Sequence, residues 1–260
     1  MFDQSYEVIL ADTVTSQAIH RMVRYHVYCL ENQFEDAAAF PQGEEYDLWD
    51  SYSAQFIVRS RRLGTWIAAM RLILPHSAKF PIEELHCLTS QADLPRRNLA
   101  EISRICIIRS PNPHEINPYL DWNYGHISKG GESEVLLGML RTIFLYGLAH
   151  DIECCYLLIT QAFARLLRHL GIVLHKVGTP VDHRGVRIPY QVKLRESAKS
   201  MRAKSAQVDQ FAARKTLAYR PFSALSAAEP VSIPLLHSTV PLSTAAKTVL
   251  RADGVGHPLV

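Results

Sequence analysis

Apolar and polar positions alternate or recur along the chain in ways that predict discrete elements. Val8 to Leu10 form a short apolar run that reads as a strand. Ile19, Met22, Val23 and Val27 recur at helical spacing and predict a helix over Thr13–Glu31, with Thr15 or Ser16 as its cap. Ala54–Arg59 and Thr65–Leu74 read as two strands joined by the basic turn Arg59–Gly64. After a connection with short helical pieces reaching Arg97, the isoleucine-rich run Leu99–Arg109 predicts a central strand. Glu132–His150 reads as a strongly apolar helix, Cys154–Ile159 as a buried strand and Gln161–Leu170 as a short amphipathic helix ending at Gly171. Ile172–Val177 and Arg187–Leu194 complete the strands, around the turn Asp182-His183-Arg184-Gly185.

This mixed order predicts an α/β fold with one twisted sheet flanked by helices. Residues 1–195 form the predicted domain, 196–220 a basic C-terminal helix, and 221–260, rich in Ala, Ser, Pro and Thr, a flexible tail. Two long loops interrupt the pattern. Phe34–Asp50 is acidic and aromatic, and Ser110–Gly131 is dense in Pro, Asn, His and Gly.

Composition narrows the function classes. A net charge of +3 argues against a dedicated nucleic-acid binder. No stretch has the apolar length of a membrane span, and the N-terminus has no basic leader, so the expected location is the cytoplasm. The five cysteines, Cys29, Cys87, Cys106, Cys154 and Cys155, fit reduced core thiols, with Cys106 inert rather than nucleophilic. The twelve histidines show no His-x-x-x-His spacing, and no Cys-x-x-Cys occurs, so no metal site is expected.

Three polar segments stand out. Arg24 to Glu31 lies on the first long helix. Glu44-Glu45-Tyr46-Asp47-Leu48-Trp49-Asp50 is followed by Arg71-Leu72. Glu101-Ile102-Ser103-Arg104 opens the central strand. Strand alternation puts Glu101 and Ser103 on one face and Arg104 on the other. Charges on an apolar strand need partners, which Asp47 and Asp50 can supply. The cluster is either a structural ion-pair network or the wall of a polar pocket.

The set Arg24-x-x-x-Tyr28, Asp47-x-x-Asp50, Arg71-Leu72 and Glu101-x-Ser103-Arg104 resembles the signature of the acyl-homoserine-lactone autoinducer synthases, and is similar to that of the N-acyl amino acid synthases. The nearest resemblance is to the acyltransferases associated with the PEP-CTERM/exosortase system. It extends through Tyr28-Cys29-Leu30-Glu31, Phe34-Glu35, Leu166 to Ile172, Val177-Gly178-x-Pro180-Val181 and Gly185-x-Arg187-x-Pro189-Tyr190.

The resemblance implies an acetyltransferase-like (GNAT/autoinducer-synthase) fold and transfer of a fatty acyl group from a thioester to an amine. The donor would be acyl-acyl-carrier-protein or acyl-coenzyme A, with no permanently bound cofactor. Glu101 would act as general base, through a water, or anchor the acceptor's ammonium. Ser103 and backbone N–H groups would polarise the thioester carbonyl. Arg104 would pair with Asp47 or Asp50 and hold the acceptor pocket, which Tyr28 would help to line. Arg24 and Arg71 would bind an acceptor carboxylate. An N-acyl amino acid is the expected product rather than a homoserine lactone, since nothing points to S-adenosylmethionine.

The Gly-rich phosphate loop of coenzyme-A enzymes is reduced here to Lys129-Gly130-Gly131-Glu132, which favours an acyl-carrier-protein donor. The basic helix Gln161–Leu170 and the run Arg195–Lys215 are candidate carrier-docking surfaces. The loop containing Tyr119, Trp122 and Tyr124 is a candidate cover for the acyl chain or acceptor. The competing expectation is a non-catalytic acyl-thioester-binding protein on the same fold.

Overall fold

The computed structural model describes residues 2–90, 94–109, 131–204 and 218–225. In chain order the elements are α1 (Phe2–Ser5), β1 (Tyr6–Leu10), α2 (Val14–Tyr25), β2 (Ser53–Ser60), β3 (Trp66–Ile73), α3 (Pro81–Glu84) and β4 (Leu99–Ile107). There follow α4 (Gly131–Ala149), β5 (Cys154–Ile159), α5 (Gln161–His169), β6 (His175–Lys176), β7 (Val181–Asp182), β8 (Val186–Lys193), α6 (Leu194–Lys204) and β9 (Arg220–Pro221). Among the described residues they build one mixed sheet in the order β6-β8-β5-β4-β3-β2-β1-β9, with β7 paired to β8.

β1 to β4 form an antiparallel meander. β5 then runs parallel to β4, as a crossover through a helix requires. The even residues of β2 to β4, among them Phe56, Val58, Met70, Leu72 and Ile102, pack under α4 through Val135, Met139 and Ile143. The opposite face carries Ile57, Ala69 and, beyond a register shift in β4, Cys106, and packs on Ile19, Val23 and Val27. Each fully buried aliphatic side chain contributes about 1.5–3 kcal/mol to these two cores.

The first helix departs from expectation at both ends. Its cap is Thr13, not Thr15 or Ser16: Thr13 Oγ1 accepts from the Ser16 amide at 3.2 Å, and Ser16 Oγ accepts from the Thr13 amide at 3.0 Å. The α-helix ends at Tyr25, and His26–Glu31 continues as a wider π-turn. There Val27 O accepts both the Asn32 amide at 3.1 Å and Asn32 Nδ2 at 2.8 Å, which holds the i to i+5 pairing.

The strand expected over Ile172–Val177 shrinks to His175–Lys176. The Ile172 amide bonds Leu167 O, and the Val173 amide bonds Ser197 Oγ at 3.1 Å, so neither joins the sheet. The basic helix does not reach Arg220, and the tail does not begin at Pro221. Those two residues form β9 beside β1. Phe222 and Leu225 are buried near Trp66, and Ser223 Oγ donates to Asp12 Oδ2 at 2.5 Å. Loop 110–130, with Tyr119, Trp122, Tyr124, Lys129 and Gly130, lies outside the described residues, as do 205–217 and 226–260.

Among the described residues no helix is long and apolar enough to cross a membrane.

Candidate functional site

Two irregularities in the sheet create the site. The first lies between β3 and β4. Arg71 pairs with Ser103 but Ala69 pairs with Cys106, so β4 carries one extra residue. That residue is Arg104, at φ 51 in the left-handed region. A non-glycine residue there costs about 1–2 kcal/mol, which its ion pairs must offset. The bulge corrects the expectation from strict alternation. Arg104 shares the α2-side face with Glu101 and Ser103 rather than taking the opposite one.

The second irregularity lies between β4 and β5. Their ladder runs from Leu99–Cys154 to Glu101–Tyr156 and stops there. Beyond that rung β4 pairs only with β3, and β5 only with β8. Glu101 therefore stands at the point where the two central strands part.

The acidic loop is pinned over this point. Asp47 caps a 3-10 turn, Leu48–Tyr52, by accepting from the Trp49 amide at 3.0 Å, while Asp50 Oδ2 accepts from the Asp47 amide at 3.0 Å. This leaves both carboxylates facing the sheet. Arg71 grips Asp47 with two nitrogens, at 2.5 and 3.0 Å, reaches Asp50 at 2.8 Å and donates to Ser103 Oγ at 3.0 Å. Arg24 bonds Asp50 at 2.5 Å and Glu45 at 2.5 Å. Arg104 bonds Glu45 at 2.8 Å and Asp47 at 3.1 Å, and its guanidinium lies 5.1 Å from the Tyr28 ring centre.

The candidate residues thus converge, but their expected roles divide. Arg24 and Arg71 are fully buried, and their ion pairs go to the acidic loop. Arg24 sits behind the site, as an internal tie. Arg104 pairs with Asp47 as anticipated, but with Glu45 rather than Asp50 as its other main partner.

A cavity of about 300 Å³ opens onto this network and is lined by Tyr28, Asp47, Arg71, Glu101, Ser103 and Arg104. Across the gap it is lined by His183, Arg184 and Arg187 from the β7–β8 hairpin. A second cavity of about 340 Å³ shares Tyr28 and Arg187 with the first. Val27, Phe34, Ile105, Ile107, Leu136 and Phe163 form its apolar wall, while Glu31, Asn32, Arg109 and Glu132 make another part polar.

Electrostatics separates the two glutamates. Burial alone would raise the Glu45 carboxyl, but Arg24 and Arg104 outweigh it and hold it down at about 2. It is a permanent anion. Burial also raises Glu101, and here the Ile82 amide and Arg71 only partly oppose it, leaving the group at about 8. Glu101 can therefore gain or lose a proton near neutral pH. Burial pushes the Cys106 thiol up to about 12, as expected for an inert core cysteine.

Sequence reasoning missed Glu45, which is 1% exposed and joins Arg24 to Arg104. It lay in the acidic run, but nothing there distinguishes it from Glu44, which turns outward to Arg21 at 2.6 Å. It also gave no site role to Arg184 or Arg187, although both fall in or beside motifs already noted. Glu35 receives Arg184 in an ion pair, and Phe34 lies 5.8 Å below the Arg187 guanidinium. Among the described residues no group of three or more His, Cys, Asp or Glu side chains could hold a metal ion.

Comparison with known proteins agrees with this architecture. Residues 23–111 match the acetyltransferase (GNAT) domain. No curated protein matches the chain. Among solved structures it is similar to the acyl-homoserine lactone synthase LasI, at 16% identity and TM-score 0.53, covering 73% of this chain and 90% of LasI. It is similar to TofI, solved in a ternary complex with an inhibitor and MTA, at 16% identity and TM-score 0.53, covering 78% and 99%. It is also similar to BjaI, a CoA-dependent acyl-homoserine lactone synthase solved with SAM and isopentyl-CoA, at 13% identity and TM-score 0.53, covering 79% and 89%. The chain has the GNAT/autoinducer-synthase fold, a single mixed sheet flanked by helices, with its polar cluster where the central strands part.

Proposed function

We propose that the protein is an N-acyltransferase that moves a fatty acyl group from a thioester to the amine of an amino acid or related small molecule. One observation carries this reading: Glu101, a buried carboxyl near 8, faces a cavity where β4 and β5 separate. An ammonium must lose a proton before it attacks, and a base is most effective when its pKa is close to the working pH. Glu101 meets that requirement, directly or through a water.

The remaining roles follow from position. The thioester arm lies in the gap between β4 and β5, with its acyl chain along the apolar wall of the second cavity and its carbonyl towards Ser103. Ser103 Oγ accepts from Arg71 Nε, which leaves its own hydroxyl proton to donate to the developing oxyanion. Arg71 and Arg104 fix the acidic loop that closes the acceptor side.

The donor is acyl-acyl-carrier-protein or acyl-coenzyme A, both cytoplasmic thioesters. The weak phosphate loop favours the carrier protein, whose acidic surface fits the arginines of α5. The same reading keeps the resemblance to the PEP-CTERM/exosortase-associated acyltransferases, and the contact between its early and late segments is consistent with it. Tyr28, Phe34 and Glu35 contact Arg184 or Arg187.

Incubation with long-chain acyl-carrier-protein or acyl-coenzyme A and pooled amino acids, read by mass spectrometry, tests the reading. A new acyl-amide product is expected. Tight donor binding with no product under any donor would replace the enzyme with an acyl-thioester binder.

A further inference from the structure

The arginines around the acceptor cavity are not equally occupied. Arg24, Arg71, Arg104 and Arg184 each hold carboxylates, drawn from Glu35, Glu45, Asp47 and Asp50. Arg187 does not. Its Nε donates to His183 O at 2.7 Å and its Nη2 to Arg184 O at 3.5 Å. Among the described residues no carboxylate forms an ion pair with it.

Of the four guanidinium groups that line this cavity, Arg71, Arg104 and Arg184 thus have carboxylate partners and Arg187 has none among the described residues, although the exposed Glu84 lies on the same wall. Glu101 adds no negative charge below about pH 8, because burial keeps it protonated. His183 adds no compensating charge, and burial together with Arg184 and Arg187 holds its pKa down. Burial and the neighbouring arginines also lower Arg187, against the opposing influence of Tyr28, so its cationic form is short of a counter-charge. A half-buried cation with this deficit, at the wall of a cavity, marks a place for an anion.

We infer that Arg187 is the specificity residue that binds the carboxylate of the acceptor, so that the substrate is a free amino acid held with its amine towards Glu101. This rests on the acyl-transfer reading above, since it concerns the same cavity. Arg24 and Arg71 cannot take that role while committed to Asp47, Asp50 and Glu45. A phosphate of the donor is the other anion in reach, because Arg187 also lines the neighbouring cavity, together with Arg109, Glu31 and Glu132. The acceptor cavity presents Arg104, Arg184 and Arg187 together, which favours an anion on that side, and the donor KM of Arg187→Gln separates the two sources.

The test uses the full chain. The common L-amino acids, in pools, and then each hit beside its primary amide, are screened for binding by saturation-transfer NMR and calorimetry. Turnover with acyl-carrier-protein or acyl-coenzyme A is followed in parallel. The free acid is expected to bind at least about 10-fold more tightly than its amide, as loss of a charge-assisted bidentate contact predicts. Arg187→Gln should erase that preference by raising KM for the acid about 10- to 100-fold, with donor KM and the melting temperature little changed. Arg187→Lys should recover part of it.

Equal binding of acid and amide by the natural protein overturns the inference. So does failure of every pool to bind, or a rise in donor KM rather than acceptor KM in Arg187→Gln. Selective acid binding lost in Arg187→Gln, without turnover, upholds the carboxylate site and sinks only the acyl-transfer reading.

Discussion

The Ile82 amide donates a hydrogen bond to Oε2 of Glu101 at 3.0 Å. Burial drives the carboxyl upward, and this contact, with Arg71, checks the rise at about 8. Since α3 begins at Pro81, the amide that steadies Glu101 belongs to the first turn of a short helix and has no partner within it.

The rate should therefore follow Glu101. With Glu101 in the proposed role of base, kcat/KM should rise with pH through about 8 as its carboxyl loses its proton. Glu101→Gln removes that limb and lowers kcat by about 100- to 10,000-fold. A pH profile of acyl-amide formation checks both, and an unchanged profile in the variant would remove Glu101 from the role.

Stability should run the other way. An unfolded glutamate loses its proton near 4.3, the folded one near 8. Stability is therefore greatest below the lower value and declines as pH rises towards the upper one. Glu101→Gln, free of this penalty, should gain a few kcal/mol relative to the natural protein at pH 9 but little at pH 4. Urea denaturation at the two pH values measures it.

Glu45 has the opposite sign. Its carboxyl is held at about 2, so its contribution is present above the ordinary glutamate range and is lost as pH falls towards 2. Glu45→Gln should destabilise by about 3–5 kcal/mol at neutral pH, because Arg24 is left buried with half its partners. A chemical melt that shows less than about 1 kcal/mol of loss contradicts the tie assigned to it.

Gly178 explains one of the quieter motifs. It forms an isolated bridge with Leu88, and a Cβ there would collide with the carbonyl oxygen of Cys87. Gly178→Ala should cost about 1–3 kcal/mol through forced backbone movement. A drop in melting temperature with unchanged KM for the acceptor would confirm a purely structural role.

Phe222 anchors the last described segment, 5% exposed with its ring centre 6.2 Å from that of Trp66. Phe222→Ala should cost about 3–5 kcal/mol. A calorimetric melt identical to that of the natural protein would mean that this segment adds nothing to the domain.

Much of this was legible in the sequence, and the exceptions share a cause. Strands β2 to β5 were readable because Phe56 to Val58, Ile67 to Ile73, Leu99 to Ile107 and Cys154 to Ile159 carry long apolar runs. The polar residues interrupting β4 marked the site for the same reason. What escaped depends on single dihedrals or distant partners. The face of Arg104 is set by one left-handed residue that no periodicity reveals. Glu45 differs from Glu44 only in where the loop lands. The role proposed for Arg187 turns on the lack of a carboxylate partner among the described residues. The strand character of Arg220–Pro221 comes wholly from β1, since two residues carry no pattern of their own.

That short strand has a consequence for how molecules meet in solution. β1 lies at one end of the sheet, and β9 covers part of its outward edge through the Ile9–Arg220 and Leu10–Pro221 rungs. A chain cut between β9 and α6 would bare the peptide groups of Ile9 and Leu10, flanked by apolar side chains. Such an edge recruits strands from other copies. The C-terminal segment thus guards against self-association, and clipped preparations should aggregate while intact ones stay dispersed.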